Sequence, residues 1–149
     1  TLESLQNAYY AATDDWLAAA DHLEADQWLS PSDADTLRVL WWFGGLIGNT
    51  DMHAANLGLF LHDVLPLGLA PTYDMLPMHY RPTATGEVLS RELVPPLPTP
   101  RHLNEWRRAA TIAVVFWQRV AQDPRISQYL QSEASRMIEV IRSRMERLG

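Results

Sequence analysis

The chain has 149 residues, of which 47% are hydrophobic, and a formal net charge of −6. That is one domain's worth of material with enough apolar content for a core, and the negative balance disfavours non-specific binding to DNA or to an anionic membrane. With no cysteine, disulfides and thiolate metal sites are excluded and a reducing, cytoplasmic location is permitted, while no apolar run approaches the roughly 20 residues that span a bilayer.

The charge is unevenly spread. Carboxylates crowd the first third (Asp14, Asp15, Asp21, Glu24, Asp26, Asp33, Asp35), and arginines crowd the last (Arg101, Arg107, Arg108, Arg119, Arg125, Arg136, Arg142, Arg144, Arg147). Every basic residue is arginine; the chain contains no lysine. No signal peptide is visible, and a start at Thr1 rather than Met suggests a fragment of something longer.

Along the chain, Leu2, Leu5, Tyr9, Trp16, Ala19, Ala20 and Leu23 recur at helical spacing and predict a helix from about 2 to 27, ending near Ser30-Pro31. Ser32 or Asp33 can cap the next helix, 34 to about 48. That segment is apolar nearly all round, the mark of a buried helix, and Gly44, Gly45 and Gly48 permit close backbone approach and an exit into a loop. Two short apolar runs, 57–61 and 67–70, predict a small hairpin. Residues 71–100 carry seven prolines and read as an irregular covering loop. Two helices close the chain: one from about 102 to 121, and one restarted by Asp123-Pro124 with Ile126, Tyr129, Leu130, Met137, Ile138, Ile141 and Met145 inward. Trp41, Trp42, Trp106 and Trp117 fall at core spacings. The fold class is therefore mainly α, a helical lobe with a small β-hairpin.

The chemistry concentrates in Gly48-Asn49-Thr50-Asp51-Met52-His53-Ala54-Ala55-Asn56 and Pro71-Thr72-Tyr73-Asp74-Met75. A lone loop aspartate is ordinarily a turn former or helix cap. Asp51 followed five positions later by Asn56, with Asp74 beyond the hairpin, is a phosphoryl-transfer constellation: one Asp orients a hydroxyl nucleophile, and an Asn and a second Asp hold magnesium. Hard oxygen ligands of that kind suit Mg2+, which keeps waters and substrate phosphates in its other positions. His53 either contacts phosphate or braces the loop. His62-Asp63 resembles a metal-phosphohydrolase pair, but the other histidines lack supporting spacing. The C-terminal arginines read as a solvated face, with a docking surface for an acidic partner or for partner-held DNA as the minority reading.

These two motifs resemble the HipA-like serine/threonine kinases, which include toxins of bacterial type II toxin–antitoxin systems and related regulators. The resemblance covers most of residues 1–149 as the family's C-terminal, kinase-like lobe. It implies that Asp51 is catalytic, that Asn56 and Asp74 are magnesium ligands, and that His53, Asn56 and Asp74 contact the cofactors ATP and Mg2+. It implies a protein substrate phosphorylated on Ser or Thr and a helix-turn-helix partner, either a separate antitoxin or a fused domain, so that DNA is engaged only indirectly. The chain departs from a complete kinase in lacking a glycine-rich phosphate loop and any lysine. The expectation is an N-terminal lobe before Thr1, with the isolated fragment inactive; the alternative is a non-catalytic kinase-like module of a DNA-binding transcriptional regulator.

Overall fold

A computed structural model describes residues 1–9 and 14–149. The protein is mainly helical: α1 (Leu2–Tyr9), α2 (Trp16–Ala25), α3 (Pro31–Ile47), α4 (Leu103–Gln122) and α5 (Gln128–Arg147), with one two-stranded antiparallel hairpin, β1 (Leu59–Phe60) and β2 (Gly68–Leu69). The chain divides into two compact units, residues 1–41 with 51–75, and residues 42–50 with 76–149.

The first unit differs from the single helix expected over 2–27. α1 is described as far as Tyr9, residues 10–13 of that span lie outside the described residues, and α2 starts afresh at Trp16 because Asp15 caps it. The Asp15 Oδ1 accepts from the N–H groups of Leu17 (2.9 Å) and Ala18 (3.4 Å), satisfying donors that have no partner inside a helix. The cap of α3 also differs: Ser30 Oγ accepts from Asp33 N–H at 3.1 Å, and Pro31, which has no N–H to satisfy, is the first helical residue. Asp33 instead accepts from Leu69 N–H of β2 at 3.3 Å. Leu2, Trp16, Ala20, Leu23, Leu29, Leu37 and Leu57 form the core of this unit. The hairpin register is Leu59 opposite Leu69 and Phe60 opposite Gly68, shorter than the sequence pattern suggests.

In the second unit α4 packs along α5. Trp106, Ala109, Ala110, Ala113, Val114 and Trp117 form the buried stripe of α4, and Ala134, Met137 and Ile141 that of α5. Ser127, not Asp123-Pro124, caps α5 by accepting from Leu130 N–H; Asp123 binds Arg125 in the connecting turn, which holds its carboxyl down at about 2. Trp117 is fully buried and donates from Nε1 to Leu46 O at 3.2 Å. The last turn of α3 closes with a Schellman motif: Asn49 N–H donates to Gly44 O (2.8 Å) and Gly48 N–H to Gly45 O (3.3 Å), with Gly48 at φ 76. Where the glycines suggested a close backbone approach, at Gly45 it is a side chain that approaches: the Pro96 ring, whose Cγ would lie 2.8 Å from a Cβ there.

The arginines do more than form a solvated face. Arg107 donates to Leu148 O at 2.5 Å, Arg144 to Pro95 O, and Arg136 to Glu133 at 2.9 Å and to Leu93 O. They tie the proline-rich segment and the C-terminus to the helices, using carbonyls that regular structure leaves without donors.

Candidate functional site

Asp51, His53, Asn56 and Asp74 all fall in the first unit. Beyond Asp51 the chain enters a 3-10 turn, Ala54–Asn56, whose first N–H groups need acceptors. Asp14 supplies one, its Oδ1 accepting from Ala54 N–H at 3.1 Å across forty positions of sequence. At the far side of the turn, Leu2 N–H donates to Leu57 O at 2.9 Å. Buried Ala54 and Leu57 pin the turn to the core, leaving Asp51, His53 and Asn56 half-buried at the surface.

Within this loop Asn56 Nδ2 donates to the carbonyl oxygen of Asp51 at 2.9 Å. That bond fixes the orientation of the amide, since the nitrogen must face the carbonyl. The Asn56 Oδ1 then faces away as an acceptor. His53 Nε2 lies 3.8 Å from Asp51 Oδ1, an ion pair when the imidazole is protonated. Beside it a cleft of about 390 Å³ is lined by Glu3, Gln6, Asn7, Asp14 and His53.

Asp74 is approached through its neighbour. Tyr73 Oη donates to Ala55 O at 2.5 Å, so the residue before Asp74 is bonded to the residue before Asn56. Asp74 itself is exposed and held at φ 55, in the left-handed region. Asp tolerates that region better than most residues, but the conformation still costs energy, and such strain clusters at functional sites.

The donor chemistry fits a magnesium ion. Asn56 offers an amide oxygen and Asp74 a carboxylate, and Mg2+ is commonly held by one or two protein oxygens plus waters and substrate phosphates. Among the described residues no three His, Cys, Asp or Glu cluster as a denser metal site would require, and His62 and Asp63 are simply exposed. The electrostatics favour cations: this unit carries eleven Asp and Glu residues against one arginine, Arg38. Arg38 is occupied by Asp21 (2.7 Å) and Glu24 (2.5 Å); burial pulls its pKa down, and the two carboxylates outweigh this and raise it. The roles of Asp14 and Tyr73 in holding the loop were not legible in the motifs. In the sequence Tyr73 is only the neighbour of Asp74, and Asp14 one acidic residue among many.

A helical domain that hangs an Asp/Asn loop and a second Asp on either side of a short hairpin is one class of architecture, and the comparisons name it. The chain matches the HipA-like C-terminal domain over residues 2–147, and it belongs to that family. It is 35% identical, over all 149 residues, to the protein named Toxin YjjJ of Escherichia coli (strain K12). The aligned region is 33% of that relative, so the chain spans about a third of its length. No solved structure matches the chain.

Proposed function

We propose that this chain is the metal- and nucleophile-positioning lobe of a HipA-like serine/threonine protein kinase, which transfers the γ-phosphate of ATP to a Ser or Thr hydroxyl with Mg2+. The observation that carries the reading is the Asn56-to-Asp51 hydrogen bond, which joins the two motif residues and turns the Asn56 oxygen outward. In this reading the Asp51 carboxylate, about half exposed, accepts or steers the proton of the attacking hydroxyl. General-base help of this kind contributes on the order of 10²–10⁴ in rate. Asn56 and Asp74 hold Mg2+, which when bound would neutralise charge on the phosphate oxygens. His53, beside Asp51, orients the carboxylate or meets phosphate.

The glycine-rich loop and lysine absent from this sequence belong, in this proposal, to a further lobe, in keeping with a relative about three times as long. The relative's name supports a toxin role, and with it an antitoxin or fused helix-turn-helix partner through which DNA is reached. A cytoplasmic location goes with that role; no described helix is long and apolar enough to cross a membrane. The decisive experiment follows phosphate transfer from labelled ATP in the full-length protein. Loss of transfer in both Asp51→Asn and Asp74→Ala supports the kinase; no transfer by folded wild type, given a mixture of candidate substrates, points to the non-catalytic regulator.

A further inference from the structure

Most guanidinium groups of the second unit are occupied, but two that share a cleft are not. Arg81 and Arg91 make no side-chain hydrogen bond or ion pair among the described residues. The segment between them folds back on itself. Thr83 N–H donates to Glu87 O at 2.9 Å, Glu87 N–H returns to Thr83 Oγ1 at 3.1 Å, and Gly86 at φ 83 makes the turn. Both ends are anchored. Arg81 N–H donates to Met78 O at 3.1 Å, and Arg91 O lies 3.3 Å from His79 Nε2, which donates when it carries the proton.

The result is a cleft of about 390 Å³ lined by Arg81, Pro82, Thr83, Ala84 and Arg91, with no carboxylate in its walls. Of the acidic residues near in sequence, Glu92 pairs with Arg136 at 3.5 Å, and Glu87 turns its backbone, not its carboxylate, to Thr83. Two guanidinium groups at one cavity repel each other until an anion joins them, and their planar forks match the oxygens of a phosphate.

We propose that the cleft between Arg81 and Arg91 is an oxyanion site that takes a phosphate group. The site is independent of the kinase reading, since none of its residues belongs to the Asp51–Asn56–Asp74 set. The phosphate arrives either free or attached to a hydroxyl of the same turn, where Thr83 Oγ1 and Thr85 Oγ1 lie 2.9 Å apart.

The test titrates inorganic phosphate into the full-length protein and follows the arginine side-chain N–H resonances. Saturable shifts at Arg81 and Arg91 are expected, with affinity falling about tenfold in Arg81→Gln or Arg91→Gln. Binding is lost in the double variant and unchanged in Arg119→Gln, a control at an exposed arginine outside the cleft. Because the dianion binds two guanidinium groups more strongly than the monoanion, and protonation on acidification converts one to the other, binding weakens between pH 7.5 and pH 5.5. Mass spectrometry then separates the sources: phosphate already on Thr83 or Thr85, with added phosphate excluded, assigns the chain's own hydroxyl, and an unmodified chain that binds added phosphate assigns an external one. Shifts that never saturate, or that persist in a folded double variant, overturn the proposal. A thermal melt of each variant establishes that it is folded.

Discussion

Tyr73 donates its phenolic hydrogen to the carbonyl of Ala55 at 2.5 Å, joining residues eighteen positions apart. The bond stands one residue before each of the two proposed metal ligands, so it sets the spacing between the strands of chain that carry them. It is a positioning contact, and its worth lies in geometry more than in stability.

Tyr73→Phe keeps the ring and removes the bond. Because the ring is half exposed, the stability loss is small, about 1 kcal/mol. The expected effect falls on magnesium: in the full-length protein the concentration for half-maximal transfer rises severalfold. A magnesium dependence identical to wild type would remove Tyr73 from the site.

Asp74 separates strain from chemistry. At φ 55 an alanine pays the left-handed penalty of about 1–2 kcal/mol without the local hydrogen bonding that eases it for Asp, whereas glycine adopts this conformation freely. Asp74→Ala is expected to lower the unfolding free energy by about 1 kcal/mol, and Asp74→Gly to leave it nearly unchanged. Both should abolish transfer. Equal melting of the two variants would show that the backbone there relaxes.

Gly48 closes α3 at φ 76, and a Cβ there would meet Leu93 Cδ2 at 2.9 Å and His79 Cβ at 3.1 Å. The backbone and the crowding both oppose a side chain. Gly48→Ala is expected to cost about 1–3 kcal/mol in chemical denaturation, because His79 N–H also donates to Gly48 O and fixes the position.

Tyr80 predicts an alkaline limit. Burial, reinforced by Glu133, pushes its phenol up to about 12, against the pull of Arg136. Between pH 10 and 12 the unfolded chain loses this proton while the folded chain keeps it, so folding stability falls as pH rises through that window. Solvent screening of this part-exposed ring keeps the loss to about 1 kcal/mol by pH 12. Tyr80→Phe should flatten that part of the pH–stability curve measured by denaturant unfolding.

Local signals carried the helices well and the long-range contacts poorly. α4 and α5 were legible because Trp106, Ala110, Val114 and Trp117 in the one, and Leu130, Met137 and Ile141 in the other, repeat at helical spacing on one face. The break between α1 and α2 was hidden because apolar spacing runs on from Leu2 to Leu23, and only the Asp15 cap betrays a fresh start. Asp33 read as a cap and serves the hairpin; Asp14 read as surface charge and holds the Ala54–Asn56 turn. In each case a carboxylate chose a backbone N–H distant in sequence over one nearby, a choice decided by packing. Asp51 and Asn56 were found as a motif, but nothing local reveals the left-handed backbone of Asp74 or the reach of Tyr73.

The imbalance of eleven carboxylates against a single engaged arginine in the first unit has a consequence for solution behaviour. Such a unit pushes against itself, and mobile cations relieve the push over the Debye length, about 8 Å at physiological salt. Added salt therefore firms this unit where it would loosen a fold built on ion pairs. Divalent ions do so at far lower concentration than monovalent ones, whichever carboxylates they visit.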